Sequence, residues 1–231
     1  MPQTELSKYR RTKQPLGSMA YERICRNIIT LQYEPGQILD EKHLMADLGL
    51  GRTPIREALL RLSCEGWIEM QPNRGAVVPS ITLQGTRAMF EAMKILETGV
   101  ASLAIQQNPS PYVAQLESAS DQVKAAVAAG EIPDLVEANH LFHFCFAQCA
   151  RNEYLIRAMT EISNMAKRLA YLSYSNDLEM DRPLQTHYDS VVTEHETIIH
   201  CLKVKNETLL KEIVIRHINT FQHRIVAYMM A

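Results

Sequence analysis

Three histidines occupy positions where the surrounding pattern predicts buried apolar side chains. His195 has Val191 four residues before it and Ile199 four residues after it, so it lies at the centre of an apolar helical stripe. His143 and His217 have comparable apolar neighbours at helical spacing. Burying a neutral imidazole without a partner costs free energy, whereas converging imidazoles can bind one divalent cation. The pattern indicates a metal site, with three core histidines as the alternative.

Asn139 precedes His143 by one helical turn, so its amide oxygen could supply a fourth metal ligand. Ligation dominated by imidazole favours Zn²⁺ or Ni²⁺ over Mg²⁺ or Ca²⁺. Three neutral imidazoles and a neutral amide would leave the charge of a divalent ion uncompensated. We therefore expect weak metal binding in the absence of ligand and tighter metal binding once an anionic ligand is present.

A three-histidine site with open positions can also activate water, so a metal-dependent hydrolase is an alternative function. The segment HETIIH contains His195 and His200, but hydrolases of the H-E-x-x-H type need their histidines at i and i+4. The two histidines here are five residues apart. Cys145 and Cys149, at i and i+4, are a further candidate zinc pair, whose apolar neighbours favour core packing instead.

The segment GRTPIREALLRL, residues 51–62, places Arg52 and Arg56 four residues apart near the start of a predicted helix. Pro54 is compatible with the first helical turn, and Thr53 before it is predicted as the N-cap. The N-terminal end of a helix attracts anions through its free N–H groups and its dipole. Two arginines at that end indicate an external anionic partner.

The elements around this helix match a winged helix-turn-helix. Two helices are predicted before it and two strands after it, over residues 17–32, 41–48, 67–70 and 76–78. The turn between the strands contains Arg74 and Gly75. In this fold the third helix enters the major groove of DNA by its N-terminal end, so Arg52 and Arg56 would contact bases or phosphates.

After Ser80 the pattern contains no further strand signal. Six helices are predicted, over residues 82–107, 111–129, 133–150, 152–175, 182–204 and 206–229. The predicted fold class is therefore mainly α, with an N-terminal winged helix-turn-helix followed by an all-helical bundle of about six helices. The predicted domains are a flexible basic tail over 1–16, a DNA-binding domain over 17–80 and a helical domain over 81–231.

The composition, with 46% hydrophobic and 22% charged residues, is typical of a soluble globular protein. No apolar run approaches the roughly 20 residues that a membrane span needs, and the N-terminus has no secretory signal. The five cysteines are an odd number and are predicted to be reduced thiols of a cytoplasmic protein. The net charge is −2, but the N-terminal tail contains Lys8, Arg10, Arg11 and Lys13 against Glu5 alone. Such a tail is predicted to be solvated or to contact phosphate.

The segment that begins YEPGQILDEKHL and ends PNRGAVV, which includes the arginine-bearing helix, resembles the DNA-binding domain of the GntR superfamily of bacterial transcription regulators. The resemblance covers about residues 17–80. Together with the winged fold, it implies six operator contacts: Lys42, Arg52, Thr53, Arg56, Arg74 and Gly75. Gly51 stands where the family usually has serine or threonine, so a hydroxyl contact to phosphate would be missing.

The segments NHLFHFCFAQCARNEYL and TEHETIIHCLKVKNETLLKEIVIRHINTF resemble the FCD effector-binding domain of the FadR subfamily, over about residues 82–229. Many such domains hold a divalent metal with an aspartate, a histidine one turn later and two further histidines. The three histidines match, and Asn139 stands at the position of the aspartate. Lys94 stands where many members have an arginine that binds the carboxylate of the effector. His187, two turns before His195, is the second predicted effector contact.

The two resemblances together imply a homodimeric repressor that binds a short palindromic operator in double-stranded DNA. They also imply control by a small organic acid, bound beside a divalent metal in the helical domain. We expect no membrane partner.

Overall fold

The computed structural model describes residues 14–72, 74–175 and 183–230. The basic residues Lys8, Arg10, Arg11 and Lys13 of the predicted tail lie outside these ranges. Within them, no helix has the length and apolar composition needed to cross a membrane.

The N-terminal region forms three helices and a three-stranded antiparallel sheet, which confirms the predicted winged helix-turn-helix. Its elements are α1 (Leu16–Ile29), β1 (Ile38–Leu39), α2 (Glu41–Leu48), α3 (Arg52–Cys64), β2 (Glu69–Gln71) and β3 (Gly75–Val77). The strand order is β1-β3-β2, and Met70 pairs with Ala76 next to the turn of the wing. Apolar side chains of the helices, such as Ile24, Ile55 and Leu62, form the core of this region.

Two caps define the short helix α2. The side chain of Asp40 accepts hydrogen bonds from the backbone N–H groups of Lys42 and His43, which satisfies donors that have no partner within the helix. Gly49 ends the helix in the left-handed conformation, with φ at 62°. Because glycine adopts that conformation without steric cost, Gly49 sets the turn between α2 and α3.

Helix α3 begins two residues earlier than its proline indicated. Gly51 is the N-cap and Arg52 the first helical residue, so the prediction of Thr53 as the N-cap is wrong. The first four N–H groups of any helix lack an intrahelical partner, so Pro54 is tolerated at the third position as well as the first. Gly51 has no side chain, and this N-cap makes no side-chain hydrogen bond.

The remaining described helices form a bundle. They are α4 (Leu83–Gln106), α5 (Ser110–Ala129), α6 (Ile132–Cys149), α7 (Glu153–Tyr174), α8 (Leu184–Val204) and α9 (Glu207–Met230). Each end lies within two residues of its predicted position. Pro133 lies in the first turn of α6, and Gly130 ends α5 with φ at 71°. Phe90, Phe142 and Phe146 are fully buried at the centre of the bundle.

Helix α7 contacts the N-terminal region through two hydrogen bonds to backbone carbonyls. Asn164 Nδ2 donates to the carbonyl oxygen of Glu65 at 3.0 Å, and Arg168 Nη2 donates to that of Pro79 at 2.7 Å. Arg168 is only 2% exposed, and burial lowers its pKa to about 10. A buried guanidinium thus joins the bundle to the end of the wing.

The five cysteines are free thiols. In the pair that was a candidate zinc site, Cys149 Sγ donates to the backbone carbonyl oxygen of Cys145 at 3.4 Å. Burial raises the pKa of the Cys149 thiol to about 12, so this group is protonated at neutral pH. These properties are those of core thiols rather than of metal ligands.

Candidate functional site

The structure brings together the three histidines that the sequence singled out. His143 comes from α6, His195 from α8 and His217 from α9, and their candidate ligand nitrogens all lie within 4.8 Å of one another. The Nε2 atoms of His143 and His217 are 3.2 Å apart. Nitrogen ligands of a tetrahedral zinc ion are about 3.3 Å apart. The donor set and its spacing therefore fit a divalent metal.

His195 is the most informative of the three because its buried ring nitrogens make no hydrogen bond to the described part of the chain. It is 0% exposed, and neither of its ring nitrogens has a hydrogen-bond partner among the described residues. Its ring stacks on Phe142 with 3.6 Å between the ring centroids. Burial and then the charges of His217 and His143 lower its pKa far below the ordinary value, so the imidazole is neutral. An unsatisfied buried polar group costs about 1–3 kcal/mol, and a bound metal would remove that cost.

Two buried carboxylates lie next to the Nδ1 atoms of His217 and His143. Glu194 Oε2 lies 3.0 Å from His217 Nδ1, and Thr220 Oγ1 donates to Glu194 Oε1 at 2.9 Å. Glu97, which is 1% exposed, has Oε1 at 3.1 Å from His143 Nδ1, an ion-pair distance without the alignment of a hydrogen bond. A histidine that donates its Nδ1–H to a carboxylate directs the Nε2 lone pair towards a metal.

These carboxylates change the charge expected at the site. The sequence placed the neutral Asn139 where an aspartate would offset the metal charge, and it did not identify Glu97. Glu97 and Glu194 supply buried negative charge in the shell behind the histidines. The available signal was a glutamate four residues after Met93 on the apolar face of α4. The carboxylates nearest to the cluster therefore lie behind the histidines rather than at the position of Asn139.

His143 and His217 of the cluster border a cavity of about 50 Å³ between α4, α6, α7, α8 and α9, whereas His195 is not among its lining residues. Asn139 lines it, and its buried Oδ1 has no hydrogen-bond partner among the described residues. His140, His143, Lys167, Tyr174 and His217 also line it. The cavity is partly open to solvent and is large enough to admit small polar groups.

The two predicted effector contacts lie outside this lining. Lys94 Nζ donates to Gln222 Oε1 at 2.8 Å, and it is Met93, one residue earlier on α4, that lines the cavity. His187 is buried, with Nε2 at 2.9 Å from Tyr174 Oη, so it lies behind a cavity residue. The cause is helical geometry, because adjacent residues are 100° apart and eight residues overshoot two full turns by about 80°.

The six predicted DNA contacts are exposed on the N-terminal region: Lys42, Arg52, Thr53, Arg56, Arg74 and Gly75. Arg52 and Arg56 lie in the first turns of α3, as the sequence indicated. Arg56 Nε donates to both carboxylate oxygens of Glu41, at 2.9 and 3.1 Å. The pair is largely exposed to solvent, so it holds Arg56 weakly against an external anion.

Two family models match the chain. The family described as bacterial regulatory proteins, gntR family, matches residues 16–78, which contain the winged helix-turn-helix. The FCD domain matches residues 88–220, which contain the histidine cluster and more than half of the chain.

The relatives point the same way. The chain is 22% identical to the HTH-type transcriptional regulator YdhC of Bacillus subtilis over 200 residues, which are 86% of each chain. It is 26% identical to the HTH-type transcriptional repressor RspR of Escherichia coli over 176 residues, 76% of this chain and 77% of that one. The structure of E. coli McbR/YncC has the same fold, with a TM-score of 0.74 at 18% identity over 94% of this chain and 99% of that one.

These relatives and both family models describe regulators of transcription rather than enzymes, and nothing among them supports the hydrolase alternative. The N-terminal region has the fold that inserts a helix into DNA, and the bundle contains a cluster of three histidines beside a cavity. The chain therefore belongs to the GntR family of bacterial transcription regulators, and its helical region is an FCD domain.

Proposed function

We propose that this regulator is a repressor that acts as a homodimer in the bacterial cytoplasm. A small organic acid, bound in the cavity beside a divalent metal, would control its binding to a short palindromic operator. The relative RspR is named a repressor, which supports the sign of regulation. One winged unit contacts too little DNA for tight specific binding, and a dimer on a palindrome doubles the contact. The bundle also exposes large apolar side chains such as Ile95, 72% exposed on α4, which a second copy could cover.

The observation that best supports a metal site is the environment of His195. This residue is fully buried, and neither of its ring nitrogens has a hydrogen-bond partner among the described residues. His143, His195 and His217 would hold the ion through their imidazole nitrogens, and Asn139, which lines the cavity with His143 and His217, would be the fourth ligand. Imidazole ligation favours Zn²⁺ or Ni²⁺. Once bound, the ion would supply a Lewis-acid centre to which a carboxylate oxygen of the effector can bind.

Titration of metal into chelator-stripped protein tests this proposal. We expect calorimetry to show one Zn²⁺ or Ni²⁺ per chain for the wild type and a large loss of affinity for His195→Ala and His217→Ala. The matched control is His200→Ala, because His200 is on the same helix and exposed. If His195→Ala and His217→Ala bind metal as tightly as the wild type, the histidines are core residues and the proposal fails.

The operator contacts give a second test. Arg56→Ala should weaken binding to the operator by about five- to 150-fold if Arg56 reads a base through its guanidinium fork. Arg87→Ala is the control, since Arg87 is also an exposed arginine paired with a glutamate, Glu91 on α4. If both variants bind the operator like the wild type in a gel-shift titration, Arg56 does not contact the operator.

Light scattering on the full chain tests the dimer. It should give twice the 26.3 kDa of one chain if the dimer forms.

A further inference from the structure

Lys167 on α7 is a largely enclosed cation that lines the cavity. Its side chain is only 10% exposed, and its Nζ contacts Glu137 Oε2 at 2.8 Å and Oε1 at 3.0 Å. Glu137, on α6, is 56% exposed. The two partners therefore differ in freedom, because the lysine is enclosed by the protein and the glutamate can turn into solvent. This ion pair can open by movement of Glu137 alone.

The cavity next to Lys167 presents polar groups that lack partners. Among the described residues that line it, Lys167 is the only lysine or arginine. Asn139 Oδ1 and His140 Nδ1 are buried and without hydrogen-bond partners among the described residues. An anion in the cavity would meet the positive charge of Lys167 and these unpartnered polar groups, with the carboxylate of Glu97 on the side of His143.

We propose that Lys167 binds the carboxylate of the effector and that this carboxylate replaces Glu137. The inference rests on the proposed function and assigns to Lys167 the task that the sequence assigned to Lys94.

The position of Lys167 connects such an exchange with the DNA-binding region. Cys25 of α1 lies within the field of both Lys167 and Glu137: burial raises the pKa of its thiol to about 12, Lys167 lowers it and Glu137 raises it. Asn164 and Arg168, on the same helix as Lys167, donate hydrogen bonds to the backbone of the N-terminal region. When the carboxylate of an effector separates Glu137 from Lys167, the charge next to α1 changes. The forces on α7, which contacts the N-terminal region, change as well.

The test uses acetate, L-lactate and succinate as probes, titrated calorimetrically into full-length protein with and without bound Zn²⁺. We expect at least one of these acids to bind the wild type and Lys167→Met to bind it about tenfold or more weakly, since a charge-assisted hydrogen bond is lost. Glu137→Gln should bind it about 1.5- to fivefold more tightly, because the competing carboxylate has been removed. Lys94→Met is the matched control and should bind like the wild type.

The outcomes separate this inference from the proposed function. Lys167→Met should keep the Zn²⁺ affinity of the wild type. If the wild type binds no Zn²⁺, the proposed metal site is refuted, but the role of Lys167 in binding the acid is not. Equal acid affinity in Lys167→Met and the wild type overturns the inference, even when Zn²⁺ binds. A wild type that binds none of the three acids overturns it too, as does weaker binding in Glu137→Gln.

Discussion

At the scale of single residues, the histidine cluster obtains its negative charge from the second layer of side chains. Glu97 lies 3.1 Å from His143, and Glu194 lies 3.0 Å from His217. Carboxylates in this position orient the imidazole and increase its basicity. Asn139 is neutral, so any negative charge next to the histidines within the described ranges comes from these two glutamates.

Glu97→Gln should therefore lower the affinity for Zn²⁺ by about 10- to 100-fold, while Asn139→Asp should raise it, because a charge is removed in one variant and added in the other. Calorimetric titration of chelator-stripped protein measures both. Glu91→Gln provides the control, since Glu91 is on the same helix and exposed. Unchanged affinity in Glu97→Gln would show that Glu97 is merely buried near the histidine.

The buried histidines also predict how stability depends on pH. Burial lowers the pKa of His187 to about 4, whereas the unfolded chain has the ordinary value of about 6.5. Below pH 6.5 the unfolded state takes up a proton that the folded state does not, so the free energy of unfolding falls as the pH falls towards 4. For His187 the loss is about 2 kcal/mol at pH 5.

Urea unfolding of metal-free protein at pH 7.5 and pH 5 measures this loss. His187→Gln should lose less stability than the wild type between the two pH values, and the exposed His200→Gln should lose as much as the wild type. An identical pH dependence in His187→Gln and the wild type would contradict the assignment.

At the scale of elements, the sequence predicted the helices of the bundle well because prolines and glycines mark their ends. It was less able to predict how each helix is rotated. Met93 and Glu97, one turn apart, both line the cavity, whereas Lys94 is 100° away from Met93 and contacts Gln222. The spacing of residues along a helix shows which of them share a face with a charged side chain. Which of those faces lines a cavity depends on tertiary packing, which the spacing does not give. The convergence of three helices on one point was readable because each carried a histidine at the centre of an apolar stripe.

The start of α3 gives a prediction at this scale. Gly51 is its N-cap with an ordinary extended backbone, φ −73° and ψ 172°, and an added Cβ would meet no atom within 4 Å. Gly51→Ser should therefore raise the free energy of unfolding by a few tenths of a kcal/mol, about 0.3, through a side-chain cap. It should also tighten operator binding by adding a hydroxyl near the DNA phosphates.

The contrasting variant is Gly49→Ser. Gly49 has φ at 62°, where a side chain costs about 1 kcal/mol, so this variant should lose stability. Thermal unfolding compares the two variants with the wild type, and a stability loss in Gly51→Ser would contradict the role of residue 51 as the cap.

At the scale of the whole molecule, α7 is shared by the cavity and the DNA-binding region. Lys167 lines the cavity, and Arg168 next to it holds the carbonyl oxygen of Pro79 at 2.7 Å. Coupling between two sites requires an element whose position both of them bias, and α7 contacts both.

Arg168→Met should therefore keep the Zn²⁺ affinity of the wild type but reduce the effect of Zn²⁺ on operator binding. Typical couplings between sites are about five- to 150-fold, and we expect the ratio of operator Kd values with and without Zn²⁺ to move towards one. Arg157→Met, an exposed arginine on the same helix, is the control. A ratio that equals that of the wild type would exclude Arg168 from the coupling.

The ion pair between Arg56 and Glu41 has a consequence for the search along a chromosome. A genome offers about a million or more competing sites of random sequence, which attract arginine mainly through phosphate. At such sites a phosphate competes with the two bonds that Nε already makes to Glu41. A guanine edge can be read by the two Nη groups while Nε keeps its partner. Because an exposed pair contributes only about 0–1 kcal/mol, Glu41 would weaken binding to random DNA by at most about fivefold relative to the operator, which still leaves a larger share of the regulator free to find its target.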